Sequence, residues 1–152
     1  MNLKRFAACL KKAISTKEAY AALDKGPGGT WTAGGCWTLA HAVNGLVDGE
    51  LMAIVTPAEL ELDEDGNEID PGYEFRVQHV VVKVGRQYLD GDGLSTEKKL
   101  LRRWNEDEGL GDGDLVPFTE DLQAEALADR TLCDTQVVTA ILPSLMKCVR
   151  RR

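Results

Sequence analysis

Phe75-Arg76-Val77-Gln78-His79-Val80-Val81-Val82-Lys83-Val84-Gly85-Arg86-Gln87-Tyr88-Leu89-Asp90-Gly91-Asp92 is the stretch that organises the chain. Residues 75–84 are dense in β-branched side chains. Gly85-Arg86 is a glycine-led two-residue turn joining them to a second extended run, Gln87 to Asp92. A two-residue turn makes Val84 face Gln87. Counting back along both strands, His79 faces Asp92, and Asp90 stands opposite Val81, one step along the diagonal. These four side chains project from one side of the sheet. A carboxylate on a neighbouring strand is what orients an imidazole and stabilises its charged form. Asp90 is the favoured partner, because Tyr88-Leu89-Asp90 keeps it within the strand. Asp92 lies in the looser Gly91-Asp92-Gly93 segment, where it can shape a turn or help cap a helix starting at Ser95; a bulge or a longer turn changes which aspartate is nearer. His79 itself opens the strand Val80 to Val84.

Outward from this hairpin, the first 25 residues read as helix, with Leu3, Phe6, Ala7, Leu10 and Ile14 on one face and Lys4, Arg5, Lys11 and Lys12 off it. Residues 26–35 hold five glycines and a proline and form a loop. A helix from Cys36 to about Val47 follows, then a buried strand at Leu51 to Val55. Asp63 to Glu68 is an acidic hairpin tip. It does not fit a calcium loop: with Gly66 at the sixth position, Gly72 occupies the twelfth, where a glutamate is required. Leu94 to Trp104 is helical, with Leu100, Leu101 and Trp104 inward and Ser95 available as cap. Residues 105–117 read as loop, and Thr119 to Leu127 as a short helix. A last helix starts near Asp134, with Pro143 expected to kink or end it and Arg150-Arg151-Arg152 complementing its C-terminal dipole. Helices and strands segregate, which predicts an α+β fold with a central helix packed on an antiparallel sheet.

The chain has 152 residues, 43% hydrophobic and 28% charged, enough for one domain spanning residues 1–152 with a core of its own. Asp and Glu outnumber Lys and Arg by 25 to 18, a formal charge of −7, which argues against nucleic-acid binding. No apolar run is long enough to span a bilayer. The amino-terminal apolar stretch is interrupted at Lys11-Lys12, too early for an export signal. A cytoplasmic protein with free thiols at Cys9, Cys36, Cys133 and Cys148 is the expectation. Neither histidine shares a zinc-ligand spacing with the cysteines, so no metal and no cofactor is expected.

Cys36 follows Gly34-Gly35 and opens a helix. There the thiol meets the positive end of the helix dipole and unpaired N–H groups, which favour the thiolate. The Cys36 N–H can donate to an oxyanion formed when sulfur attacks a carbonyl, and the two glycines let a substrate chain come close. His41 lies on another face of the same helix and cannot comfortably serve that thiol, leaving His79 as the base. Trp31 and Trp37 flank the glycine loop as candidate walls of a substrate cleft.

Gly34-Gly35-Cys36-Trp37-Thr38-Leu39-Ala40, His79-Val80-Val81-Val82-Lys83-Val84 and Tyr88-Leu89-Asp90 together resemble the papain-like superfamily in its broad sense. The Cys-Trp pair is similar to papain. The Cys, His-on-strand, Asp-on-next-strand order is nearer to transglutaminases, arylamine N-acetyltransferases and NlpC-type peptidases. The likeness covers about Thr30 to Trp104. It implies a papain-like α+β core with extra helices at both termini, Cys36 as nucleophile, His79 as general base and acid, and Asp90 as orienting residue. Thr30 stands where papain-like peptidases carry the oxyanion-hole glutamine, which leaves the second oxyanion donor unassigned. The implied activity is hydrolysis of an amide or isopeptide bond in a peptide or protein substrate through a thioester. The alternative is an inactive papain-like fold serving as a binding or structural module.

Overall fold

The computed structural model describes residues 1–128 and 133–150. Two helices, α1 (Leu3–Ile14) and α2 (Lys17–Asp24), open the chain, and α3 (Cys36–Val47) follows the glycine loop. Strands β1 (Glu50–Pro57), β2 (Glu61–Leu62), β3 (Glu68–Ile69), β4 (Phe75–Val84), β5 (Gln87–Asp90) and β6 (Gly93–Ser95) come next. Helix α4 (Glu97–Arg102) runs into a π-turn at Arg103–Asp107, and β7 (Asp114–Pro117), α5 (Glu120–Ala128) and α6 (Thr135–Arg150) complete the order. The main sheet is antiparallel in the order β6-β5-β4-β1-β7; β2 and β3 form a separate ribbon. The α+β architecture of a central helix on an antiparallel sheet is therefore as expected.

Strand alternation sorts the apolar residues into two layers. Ala53, Val55, Val80, Val82 and Leu89 join the larger core beneath α3, α1 and α6. Met52, Ile54, Val81 and Tyr88 point to the opposite face, where Leu100 and Trp104 cover them. The β4–β5 register pairs Val84 with Gln87 and Val82 with Leu89, the register expected of a two-residue Gly85-Arg86 turn. Gly85 adopts φ of 61°, which a side chain would disfavour.

Several elements depart from the sequence reading. The amino-terminal helix breaks at Ser15-Thr16, because the Thr16 hydroxyl accepts the Ala19 N–H and starts a second helix. Gly91-Asp92 is a tight turn linking β5 to a further strand, and Asp114–Pro117 pairs with β1 inside what read as loop. Thr96, rather than Ser95, caps α4. Pro143 lies inside α6 without ending it. Arg151 and Arg152 fall outside the described residues. At the acidic hairpin, the Asp63 carboxylate accepts the N–H groups of Asp65 and Asn67 and so shapes the tip.

The expectation of four free thiols is corrected. Cys9 of α1 and Cys148 of α6 form a disulfide with a Cα–Cα distance of 5.5 Å, while Cys36 and Cys133 are free. The pairing arises because α1 and α6 pack side by side, a proximity invisible across a sequence separation of 139. Closing so long a loop restricts the unfolded chain strongly. Replacing Cys9 or Cys148 by Ser should therefore lower the unfolding free energy by about 2–5 kcal/mol in urea titrations under non-reducing conditions. Cys133→Ser should leave it within about 0.5 kcal/mol.

Candidate active site

Cys36 is the first residue of α3, with Gly35 as a cap that offers no side-chain hydrogen bond. Its N–H therefore belongs to the first turn and has no intrahelical carbonyl. The loop before it is held by its own backbone: Thr30 N–H donates to Ala33 O at 2.7 Å and Gly35 N–H donates to Thr30 O at 2.9 Å. Gly34 sits at φ of 99°. A Cβ on Gly35 would lie 2.5 Å from Leu23 Cδ1 and 3.0 Å from Thr30 O. The glycine pair thus serves the close packing of the loop on the core.

Trp31 and Trp37, the candidate cleft walls, pack inward. Both are buried in the main core, and Trp37 meets Phe118 edge to face at 4.9 Å, so neither lines an open cleft. The physical reason is area: burying an indole against the helices removes more apolar surface from water than leaving it on a rim. Thr30 spends its hydroxyl on the Ala33 N–H at 2.9 Å, a loop-fixing bond. His41 is exposed on α3, in keeping with its assignment away from the thiol.

Cys36, His79 and Asp90 do come together. His79 lies inside β4, not at its start, and pairs with Ile54 of β1 next to a bulge. Strand β5 pairs with β4 only as far as Val82. Helix α3 packs against β4. The backbone N–H groups of Val80 and Trp37 are near enough to the Cys36 sulfur to favour its thiolate. His79 Nε2 lies 2.8 Å from Asp90 Oδ2. Nδ1 has no hydrogen-bond partner among the described residues, and the Cys36 thiol interacts electrostatically with the ring. Of the two aspartates, Asp90 is the partner. Its Oδ1 also accepts the Asp92 N–H at 2.9 Å, so the same carboxylate shapes the Gly91-Asp92 turn and braces the imidazole. A Cβ on Gly91 would sit tightly, 3.1 Å from Thr32 Cγ2 and 3.3 Å from Trp31 Cβ.

Two residues of the site were not singled out from the sequence. Arg103 Nη2 lies 2.5 Å from Asp90 Oδ2 and Nη1 lies 3.3 Å from Asp92 Oδ2. Trp104 stacks on His79, with ring centroids 4.4 Å apart at 27°. The π-turn at Arg103–Asp107 widens the helix locally, so consecutive side chains reach the carboxylates and the imidazole. The inward-facing assignment of Trp104 carried a signal, because the α4 face covers the side of the sheet on which His79 projects. Nothing in the sequence marked the π-turn that aims Arg103.

The electrostatics follow from burial set against pairing. Burial opposes charge on His79, yet the hydrogen bond to Asp90 and the interaction with Cys36 outweigh it and raise its pKa to about 9. Burial likewise resists ionisation of Cys36, but His79 and the two backbone N–H donors prevail and the thiol is lowered below its ordinary value of 9.0. Asp90 is lowered in the same way, with His79 and then Arg103 overcoming burial. Cys133 is pushed up, chiefly by burial. The site favours a thiolate–imidazolium pair with an ionised carboxylate behind it. It is also nearly sealed: Cys36 is 5% exposed and His79 0%.

No protein-family model matches the chain, and no curated protein or solved structure matches it either.

The charge arrangement has a direct signature. Iodoacetamide alkylation of Cys36 should titrate with a midpoint below 9.0, and that of Cys133 above it. His79→Ala should return the Cys36 midpoint upward. In NMR titration the His79 ring should stay protonated through neutral pH and lose its proton near 9. Asp90→Asn should move that loss to lower pH, because it removes the carboxylate that raises it.

Proposed function

We propose that this chain is a cysteine-dependent acyl-transfer enzyme with a papain-like core, cleaving an amide or isopeptide bond through a thioester on Cys36. The observation that carries the reading is the buried grouping of Cys36, His79 and Asp90, with His79 Nε2 held 2.8 Å from Asp90 Oδ2, Nδ1 without a hydrogen-bond partner among the described residues, and the thiol electrostatically coupled to the ring. In this reading the Cys36 thiolate attacks the carbonyl carbon. The oxyanion develops beside the Cys36 N–H at the positive end of α3. The His79 imidazolium gives its Nδ1 proton to the departing amine, and the resulting neutral ring then takes a proton from the water that opens the thioester. Asp90 keeps Nε2–H engaged throughout, so Nδ1 is the nitrogen that cycles its proton. Arg103 and Trp104 are positioning residues: one holds the carboxylate, the other fixes the ring plane.

A second reading, a non-catalytic module on the same core, is favoured by one observation: both Cys36 and His79 are closed to solvent. A carbonyl reaches the sulfur only when a neighbouring segment moves.

The two readings part on a covalent test. With p-nitrophenyl acetate as probe, an enzyme should release a burst of p-nitrophenol matched by one acetyl group on Cys36 in peptide maps. Cys36→Ala should abolish the burst, and His79→Ala should slow it by about 10²–10⁴-fold. Acetylation no faster than that of a free cysteine would establish the non-catalytic module.

A further inference from the structure

The Cys9–Cys148 disulfide opens into a groove of about 520 Å³ between α1 and α6, and both of its half-cystines line that groove. The space exists because the facing positions are small: Ala8 and Ala13 on α1 and Ser144 on α6. Among the described residues, every charged residue lining it is basic, namely Arg5, Lys12 and Lys147. All three are exposed, and none forms an ion pair with another described residue. Neither α1 nor α6 contains a single Asp or Glu, in a chain whose net charge is −7. A disulfide that only staples two helices has no use for an approach channel, nor for three cations without an ion-pair partner among the described residues.

We infer that this groove is a thiol–disulfide exchange site for low-molecular-weight thiols that carry additional negative charge, such as carboxylate- or sulfonate-bearing thiols. The incoming thiolate attacks Cys9 Sγ, the more accessible sulfur, since Cys9 is half-buried and Cys148 is buried. A bond forms between the entering sulfur and Cys9, the Cys9–Cys148 bond breaks, and the electron pair leaves on Cys148 as a thiolate that takes a proton from water. A second thiolate then attacks the entering sulfur of the mixed disulfide. This frees Cys9 and yields the symmetrical disulfide of the small thiol, so two small thiols are oxidised as the protein disulfide is reduced. The cations act twice. They concentrate an anionic thiol near the groove, and they stabilise the negative charge spread over three sulfurs as exchange proceeds. The same groove serves the reverse reaction, in which an anionic small-molecule disulfide re-forms the bond. The inference is independent of the chemistry proposed at Cys36, which lies at the other core helix.

The test uses the full oxidised chain and three probes of different charge: 2-mercaptoethanesulfonate, 2-mercaptoethanol and cysteamine. Rates of Cys9–Cys148 opening, read by alkylation and peptide mapping, are compared per unit of thiolate. At low ionic strength the sulfonate should open the disulfide at least about threefold faster than cysteamine does. About 0.5 M salt should erase the difference. The triple variant Arg5→Glu, Lys12→Glu, Lys147→Glu changes only exposed positions and should reverse the order. Rates independent of probe charge, an order unaltered by the triple variant, or four free thiols after exposure to an oxidant would each overturn the inference.

Discussion

A charged imidazole sealed from water is the constraint around which the rest of this molecule is arranged. His79 has no exposed surface, yet it holds its proton to about pH 9. Moving such an ion out of water costs several kcal/mol unless charges of opposite sign and good hydrogen bonds meet it. Asp90 supplies the carboxylate at 2.8 Å, and His79 itself, then Arg103, favour its ionised form. Trp104 closes the ring face against solvent. Removing any one partner leaves a buried group unmatched, so the site behaves as a unit and not as a sum of contacts.

The sheet geometry meets this electrostatic demand by leaving one strand edge incomplete. Strand β5 stops pairing with β4 at Val82, and the backbone at Val80 helps to favour the Cys36 thiolate. Helix α3 packs against β4, and the loop before it is compact. Its compactness rests on Gly34 and Gly35, and on Gly91 in the facing turn. The glycines let the loop, α3 and the β5–β6 turn approach one another.

The far side of the molecule follows a different logic. Helices α1 and α6 bring the two ends of the chain together, share a disulfide and carry only basic charge, whereas acidic residues fill the β2–β3 ribbon and the segment after the π-turn. Charge is segregated by element, so a protein that is acidic on average presents one distinctly cationic groove.

Local pattern by itself determined the α3 and β4 boundaries, the two-residue turn between β4 and β5, and the segregation of helices from strands. Each rests on interactions between residues close in sequence: β-branched runs, a glycine-led turn, apolar spacing at helical period. The same counting put Cys36, His79 and Asp90 forward as candidates, and separated Asp90 from Asp92 by strand membership. Tertiary structure alone decided the rest. Strand β7 forms because β1 offers an unpaired edge to residues with weak extended preference of their own. Pro143 is accommodated because α6 is held along its length by α1, α2 and α3, contacts that outweigh one lost hydrogen bond. The burial of Trp31 and Trp37, the aim of Arg103 from a π-turn and the union of Cys9 with Cys148 all depend on which distant segments end up adjacent. Such adjacency is a property of the whole packed core, and no window of sequence contains it.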